Sequence, residues 1–94
     1  MMNTTKENLV FALETAGNEG REIGITYSAG KGFTLTMSII PEVIIWDDTV
    51  EICDAEDMGM GIHLMVGLDG DIKYDEDEDA YTVEMEFGDT KIFF

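Results

Sequence analysis

Asp75, Asp77 and Asp79 alternate along the chain, and Glu86 follows them. Counted from Asp75, these four residues match positions 1, 3, 5 and 12 of a calcium-binding loop of the EF-hand type, whose carboxylates supply the oxygens that a hard cation takes. Position 6 needs glycine for its sharp turn, and here it is Ala80. Glu86 also belongs to a run of period two, which turns its side chain outward from a strand and away from any loop. A register begun at Asp69 fails at Lys73 and Tyr74. The pattern therefore offers weak divalent-cation affinity without a specific site, and no resident metal or other cofactor is expected. Nucleophilic chemistry has less to work with. His63 and Cys53 are the only histidine and the only cysteine, and nothing fixes the third group that would orient such a pair. Cys53 reads as a buried structural thiol, and His63, inside an apolar run, as a hydrogen-bonded structural residue. Twenty-one acids in 94 residues always place some carboxylate pair at a glycosidase-like separation, so such a pair carries no information. The chain is not expected to be an enzyme.

The charge itself is the informative feature. The segment DGDIKYDEDEDAY, residues 69–81, holds seven carboxylates (Asp69, Asp71, Asp75, Glu76, Asp77, Glu78 and Asp79) and one lysine. The formal net charge is −16, whereas a small domain stays dispersed with a net charge of about 2–8 in magnitude. Residues 42–94 carry seventeen acids against Lys73 and Lys91, while residues 1–41 carry four acids against three bases. Two carboxylates about 7 Å apart repel by roughly 2.4 kcal/mol at an effective dielectric of about 20, so this concentration is not there for stability. Five basic residues are too few to neutralise phosphates, and the sign is wrong for anionic lipid. Direct nucleic-acid and membrane binding are excluded as expectations; a basic protein or a cation fits. No basic-then-apolar leader and no apolar run of about eighteen residues is present, so a cytoplasmic protein is expected.

The elements that must position these acids follow from hydrophobic periodicity. Residues 3–16 read as a helix, with a Thr4–Glu7 capping box, an apolar stripe of Leu9, Leu13 and Ala16 flanked by Val10, Phe11 and Ala12, and Gly17 as its C-terminal cap. From Ile23 the period becomes two. Ile23, Ile25 and Tyr27 predict one strand, and Phe33, Leu35, Met37 and Ile39 a second, joined as a hairpin through residues 28–32 and ended by Pro41. Residues 43–46 and 49–53 give one or two further strands, with Asp47–Asp48 between them as a turn or a bulge. Residues 62–67 read as a buried strand, 72–75 as another, and 80–87 as a strand with Tyr81, Val83, Met85 and Phe87 inward and Thr82, Glu84 and Glu86 outward. Gly88–Asp89 fits a two-residue hairpin turn before a last strand. That strand, ending in Ile92, Phe93 and Phe94, either completes the core or offers an exposed edge to a second copy; completion of the core is preferred. The sum is one domain over residues 1–94 of the α+β class, an N-terminal helix packed on an antiparallel sheet of five to six strands. Its glycine-rich segments lead into no helix and have acidic neighbours, so they are not phosphate cradles. Met58 and Met60, in the acidic loop 55–61, read as adaptable interface contacts.

Small size, a net charge of −16 concentrated in residues 42–94 and the lack of a catalytic set together resemble the acidic inhibitors carried by phages and mobile elements, the anti-CRISPR and anti-restriction proteins that imitate nucleic acid. The resemblance is one of character and rests on no shared motif; the compact α+β reading is closer to the anti-CRISPR side. It implies a non-catalytic inhibitor that occupies the basic nucleic-acid-binding surface of a CRISPR effector in a bacterial host cytoplasm, as a monomer or homodimer. Carboxylates would engage the arginines or lysines of the effector, including those that read the short duplex motif beside the target. The partner-binding set would be Asp69, Asp71, Asp75, Glu76, Asp77, Glu78, Asp79, Glu84 and Glu86, extended by Asp47, Asp48, Asp54, Glu56 and Asp57. An immunity protein capping a basic nuclease toxin shares these electrostatics, and a divalent-cation-binding module using residues 75–86 is the other alternative.

Overall fold

The computed structural model describes residues 5–29, 32–56, 63–68, 70–85 and 88–94. Helix α1 (Thr5–Glu19) forms along the predicted stripe, and Leu9, Leu13 and Ala16 are its buried residues. Phe11 does not join them; it faces away and is 69% exposed. The helix also runs two residues past Gly17, to Glu19. It stops at Gly20, whose φ of 67° lies in the left-handed region that glycine enters without a Cβ penalty. There the Gly20 amide donates to the Gly17 carbonyl (3.2 Å) and the Arg21 amide to that of Ala16 (2.8 Å), the paired bonds of a Schellman ending. Gly17 serves a different purpose. It lies so close to the Pro41 carbonyl that a Cβ would collide with it. Thr4, the first member of the expected capping box, lies outside the described residues.

Eight strands follow: β1 (Ile23–Ala29), β2 (Phe33–Ile39), β3 (Pro41–Ile45), β4 (Thr49–Asp54), β5 (His63–Gly67), β6 (Ile72–Asp75), β7 (Ala80–Met85) and β8 (Gly88–Phe93). The α+β class holds. The single sheet of five to six strands does not: the strands form a five-stranded sheet, ordered β2-β1-β8-β7-β6, and a three-stranded sheet, β3-β4-β5, all antiparallel. Alternation tells which side chains share a face but not which strands are neighbours. Pro41 marks the division, opening β3 where its missing N–H costs least.

The last strand completes the core, as preferred: β8 sits between β1 and β7, with Ile92 fully buried and Phe94 meeting Tyr81 edge-on at 5.7 Å. Two further expectations change. Gly88 and Asp89 are not a turn but the start of β8, paired with Met85 and Glu84. A Cβ at Gly88 would meet the Ser28 carbonyl of β1, so this glycine permits close strand approach. Nor is β5 buried throughout: it is an edge strand, and Met65 is 49% exposed.

One core joins the helix and both sheets. Leu9, Leu13 and Ala16 of α1 meet Ile23, Ile25 and Ile39 from β1 and β2, Val50 and Ile52 from β4, Val66 from β5, and Tyr81, Val83 and Ile92 from β7 and β8. The opposite face of the larger sheet is polar. Pairing aligns Thr36, Thr26, Lys91, Thr82 and Lys73 in one row across its five strands. Among the described residues, no helix is long and apolar enough to cross a membrane.

Candidate functional site

The acidic run is a hairpin loop with its ends tied down. β6 and β7 pair as far as Asp75 opposite Ala80, leaving Glu76 to Asp79 as the connection. Asp75 Oδ1 accepts the backbone N–H groups of Asp77 (3.0 Å) and Glu78 (3.4 Å), an Asx turn that competes with continued strand. Asp79 has a φ of 50°, a left-handed conformation that aspartate tolerates better than most residues. Its carbonyl accepts the Phe94 amide (2.9 Å), and its Oδ1 accepts the Tyr74 hydroxyl (2.8 Å). That hydrogen bond to a carboxylate, followed by partial loss of solvent, holds the Tyr74 phenol up at about 12. Burial and the Asp79 charge raise Tyr81 as well. Two of the five acids therefore build the turn, and Glu78 pairs with Lys91 at 2.8 Å. Among the described residues, the carboxylates of Glu76 and Asp77 make no hydrogen bond or ion pair and stand exposed at the tip.

Asp71 belongs to a different place. β6 separates it from Asp75 by about 14 Å at strand rise, and its carbonyl accepts the Glu84 amide (3.0 Å) at the far end of the hairpin. Glu84 points outward as expected, but it is engaged by Lys73 at 3.1 Å. This bond, then the charges of Glu84, Asp71 and Asp89, raise the Lys73 pKa. Asp89, read as a turn residue from the sequence, is thus a member of this second group, opposite Glu84 in the ladder. Such exposed pairs are worth about 0–1 kcal/mol.

The β3–β4 turn adjoins that second group, since the Leu68 amide donates to the Asp48 carbonyl (2.7 Å). Asp48 Oδ1 accepts the Thr49 hydroxyl (3.1 Å), and Asp47 is exposed beside it. Asp54 and Glu56 lie at the other end of β4, about 20 Å away by strand rise, where Asp54 Oδ1 accepts the Glu56 amide (3.0 Å). The structure therefore distributes the expected partner-binding acids over three sites: the hairpin tip (Asp75 to Asp79), the opposite end (Asp47, Asp48, Asp71 and Glu84) and the end of β4 (Asp54 and Glu56). Asp57, Asp69 and Glu86 lie outside the described residues, as do Met58 and Met60.

Sequence reasoning missed an apolar neighbour of the acids. Ile44 and Met65 flank Glu51 in one row on the outer face of the smaller sheet. Trp46 stands beside them, 55% exposed, its Nε1 donating to Glu51 Oε1 (3.3 Å). The only sequence signal was an aromatic residue directly before Asp47–Asp48. On the same face Cys53 is buried, and burial followed by Glu51 pushes its thiol pKa up, which suppresses the reactive thiolate. Of His63, only its place in β5 is described. No group of three or more His, Cys, Asp or Glu side chains converges as a metal site among the described residues. Comparison with known protein families, with curated proteins and with solved structures finds no match to this chain.

Proposed function

We propose that this protein is a non-catalytic inhibitor that covers the basic nucleic-acid-binding surface of a CRISPR effector in a bacterial cytoplasm. The observation that carries the reading is the hairpin tip: its negative charge is held on a tied turn at the end of a five-stranded sheet, not on a loose tail. Carboxylates fixed in this way accept arginine forks without losing the entropy that a free tail would lose on binding. The two lysines of the acidic half are already engaged, Lys73 by Glu84 and Lys91 by Glu78, which leaves Glu76 and Asp77 as the tip carboxylates offered to a partner. Trp46 beside Asp47 and Asp48 gives the same partner an aromatic contact of the kind that anchors interfaces.

The test is competition. A purified CRISPR effector with its guide is loaded with labelled target duplex, and displacement by this protein is followed by fluorescence anisotropy at several salt concentrations. Displacement that weakens as salt rises is expected. Because Asp75 and Asp79 hold the turn, the informative variant is Glu76→Gln with Asp77→Asn. It should lose roughly 1.5–3 kcal/mol for each charge-assisted contact removed and flatten the salt dependence. Unchanged affinity would remove the tip from the interface, and failure to displace duplex from any effector would end the reading.

A further inference from the structure

Four strands end the two sheets, and three of them are guarded. β3 begins with Pro41, carries Glu42 and lies against α1 at Gly17. β6 has four residues, of which Lys73 and Asp75 are charged, and it ends in the acidic tip. β5 has only five residues and touches β7 of the larger sheet. β2 has none of these protections. Its seven residues, FTLTMSI, include no charge, no proline and no glycine, and among the described residues it is hydrogen-bonded to β1 alone. Natural sheets blunt such an edge, because unpaired N–H and C=O groups on a long flat strand template the addition of another. Beneath it the core is unfinished: Phe33 is 57% and Leu35 42% exposed on the face that elsewhere is covered.

We infer that β2 is the interface of a homodimer, in which the β2 strands of two copies pair antiparallel and join two five-stranded sheets into one. The charge distribution selects a second copy over a basic partner. Neither β1 nor β2 carries a charged residue, in a chain of net charge −16. A basic protein gains nothing from that strip, whereas two strongly acidic chains can meet there without bringing their carboxylates together. The strand is also self-complementary, as a two-fold interface requires. With the axis at Thr36, all seven residues pair. Leu35 then faces Met37 and Phe33 faces Ile39 on the core side, while Thr34 faces Ser38 and Thr36 faces Thr36 on the polar side.

Sedimentation equilibrium of the full chain tests this. Twice the chain mass is expected, with the dimer fraction rising as salt screens the repulsion between copies, opposite to the salt response of a basic partner. Thr36→Lys should return the protein to the monomer mass with its far-ultraviolet circular dichroism unchanged. The substitution lowers the net negative charge, so loss of the dimer cannot come from added repulsion at a distance. As a second measurement, Thr36→Cys should form a disulfide-linked dimer on oxidation, because directly opposed strand residues lie within disulfide reach, while Thr34→Cys alone should not. A monomer at every salt and protein concentration, or a dimer indifferent to Thr36→Lys, would overturn the inference. Neither result touches the competition test, which reads the acidic tip.

Discussion

Tyr74 and Asp79 show how single residues turn a charge run into structure. The phenol donates to Asp79, and its pKa rises from 10.0 to about 12. A raised phenol pKa means that the folded chain holds the proton more tightly than the unfolded one. The stabilisation is complete below the unfolded value and is lost as pH climbs through the window from 10.0 to about 12. The expected outcome is that the tyrosinate absorbance missing from Tyr74→Phe develops near pH 12, and that Asp79→Asn moves it down. If Asp79→Asn leaves that titration in place, the carboxylate is not its cause. The same bond explains why neutralising Asp79 is a poor probe of binding: it changes the turn together with the charge.

At the scale of elements, the two glycines at the end of α1 make opposite demands. Propensity alone says that alanine at a helical glycine gains about 1 kcal/mol. For Gly17→Ala the sign should reverse, because the new methyl meets the Pro41 carbonyl, which is backbone and cannot swing aside; a loss of about 1–3 kcal/mol in urea unfolding is expected. Gly20→Ala should cost about 1–2 kcal/mol for a different reason, the left-handed backbone at a φ of 67°. A gain in stability from Gly17→Ala would mean that α1 and β3 are not packed as described. In the hairpin of β6 and β7, local hydrogen bonds rather than a buried cluster hold the loop, so its acids keep their places while remaining in water.

For the whole molecule, the net charge of −16 opposes the compact state. Sixteen uncompensated negative charges on a 94-residue chain repel across distances comparable to the Debye length, about 10 Å at 0.1 M salt. Melting temperature should therefore climb as sodium chloride is added from a low-salt buffer. Glu76→Gln with Asp77→Asn should raise it at low salt and have less effect at high salt. A melting temperature insensitive to salt would show that repulsion among these charges does not limit the stability of the fold.

The sequence by itself determined the helix stripe, the inward and outward faces of most strands and the exposed acidic connection. All of these follow from local rules: the 3.6 and 2.0 periods and the backbone preferences of aspartate and glycine. It pointed to Gly17 as the cap where the helix ends at Gly20, because both glycines carry the same local signal and only the fold, which brings Pro41 against Gly17, gives Gly17 another purpose. It could not see that β8 pairs with β1 across most of the chain, nor that Pro41 starts a second sheet, because strand partners are chosen by burial on a shared core and not by sequence distance. The same limit applied to the acids. Asp71 and Asp75 are four residues apart in the chain, yet β6 carries them to opposite ends of a hairpin. Asp71 and Asp89, eighteen residues apart, are brought beside the same lysine. Charge was legible residue by residue, and its arrangement in space was a property of the tertiary structure alone.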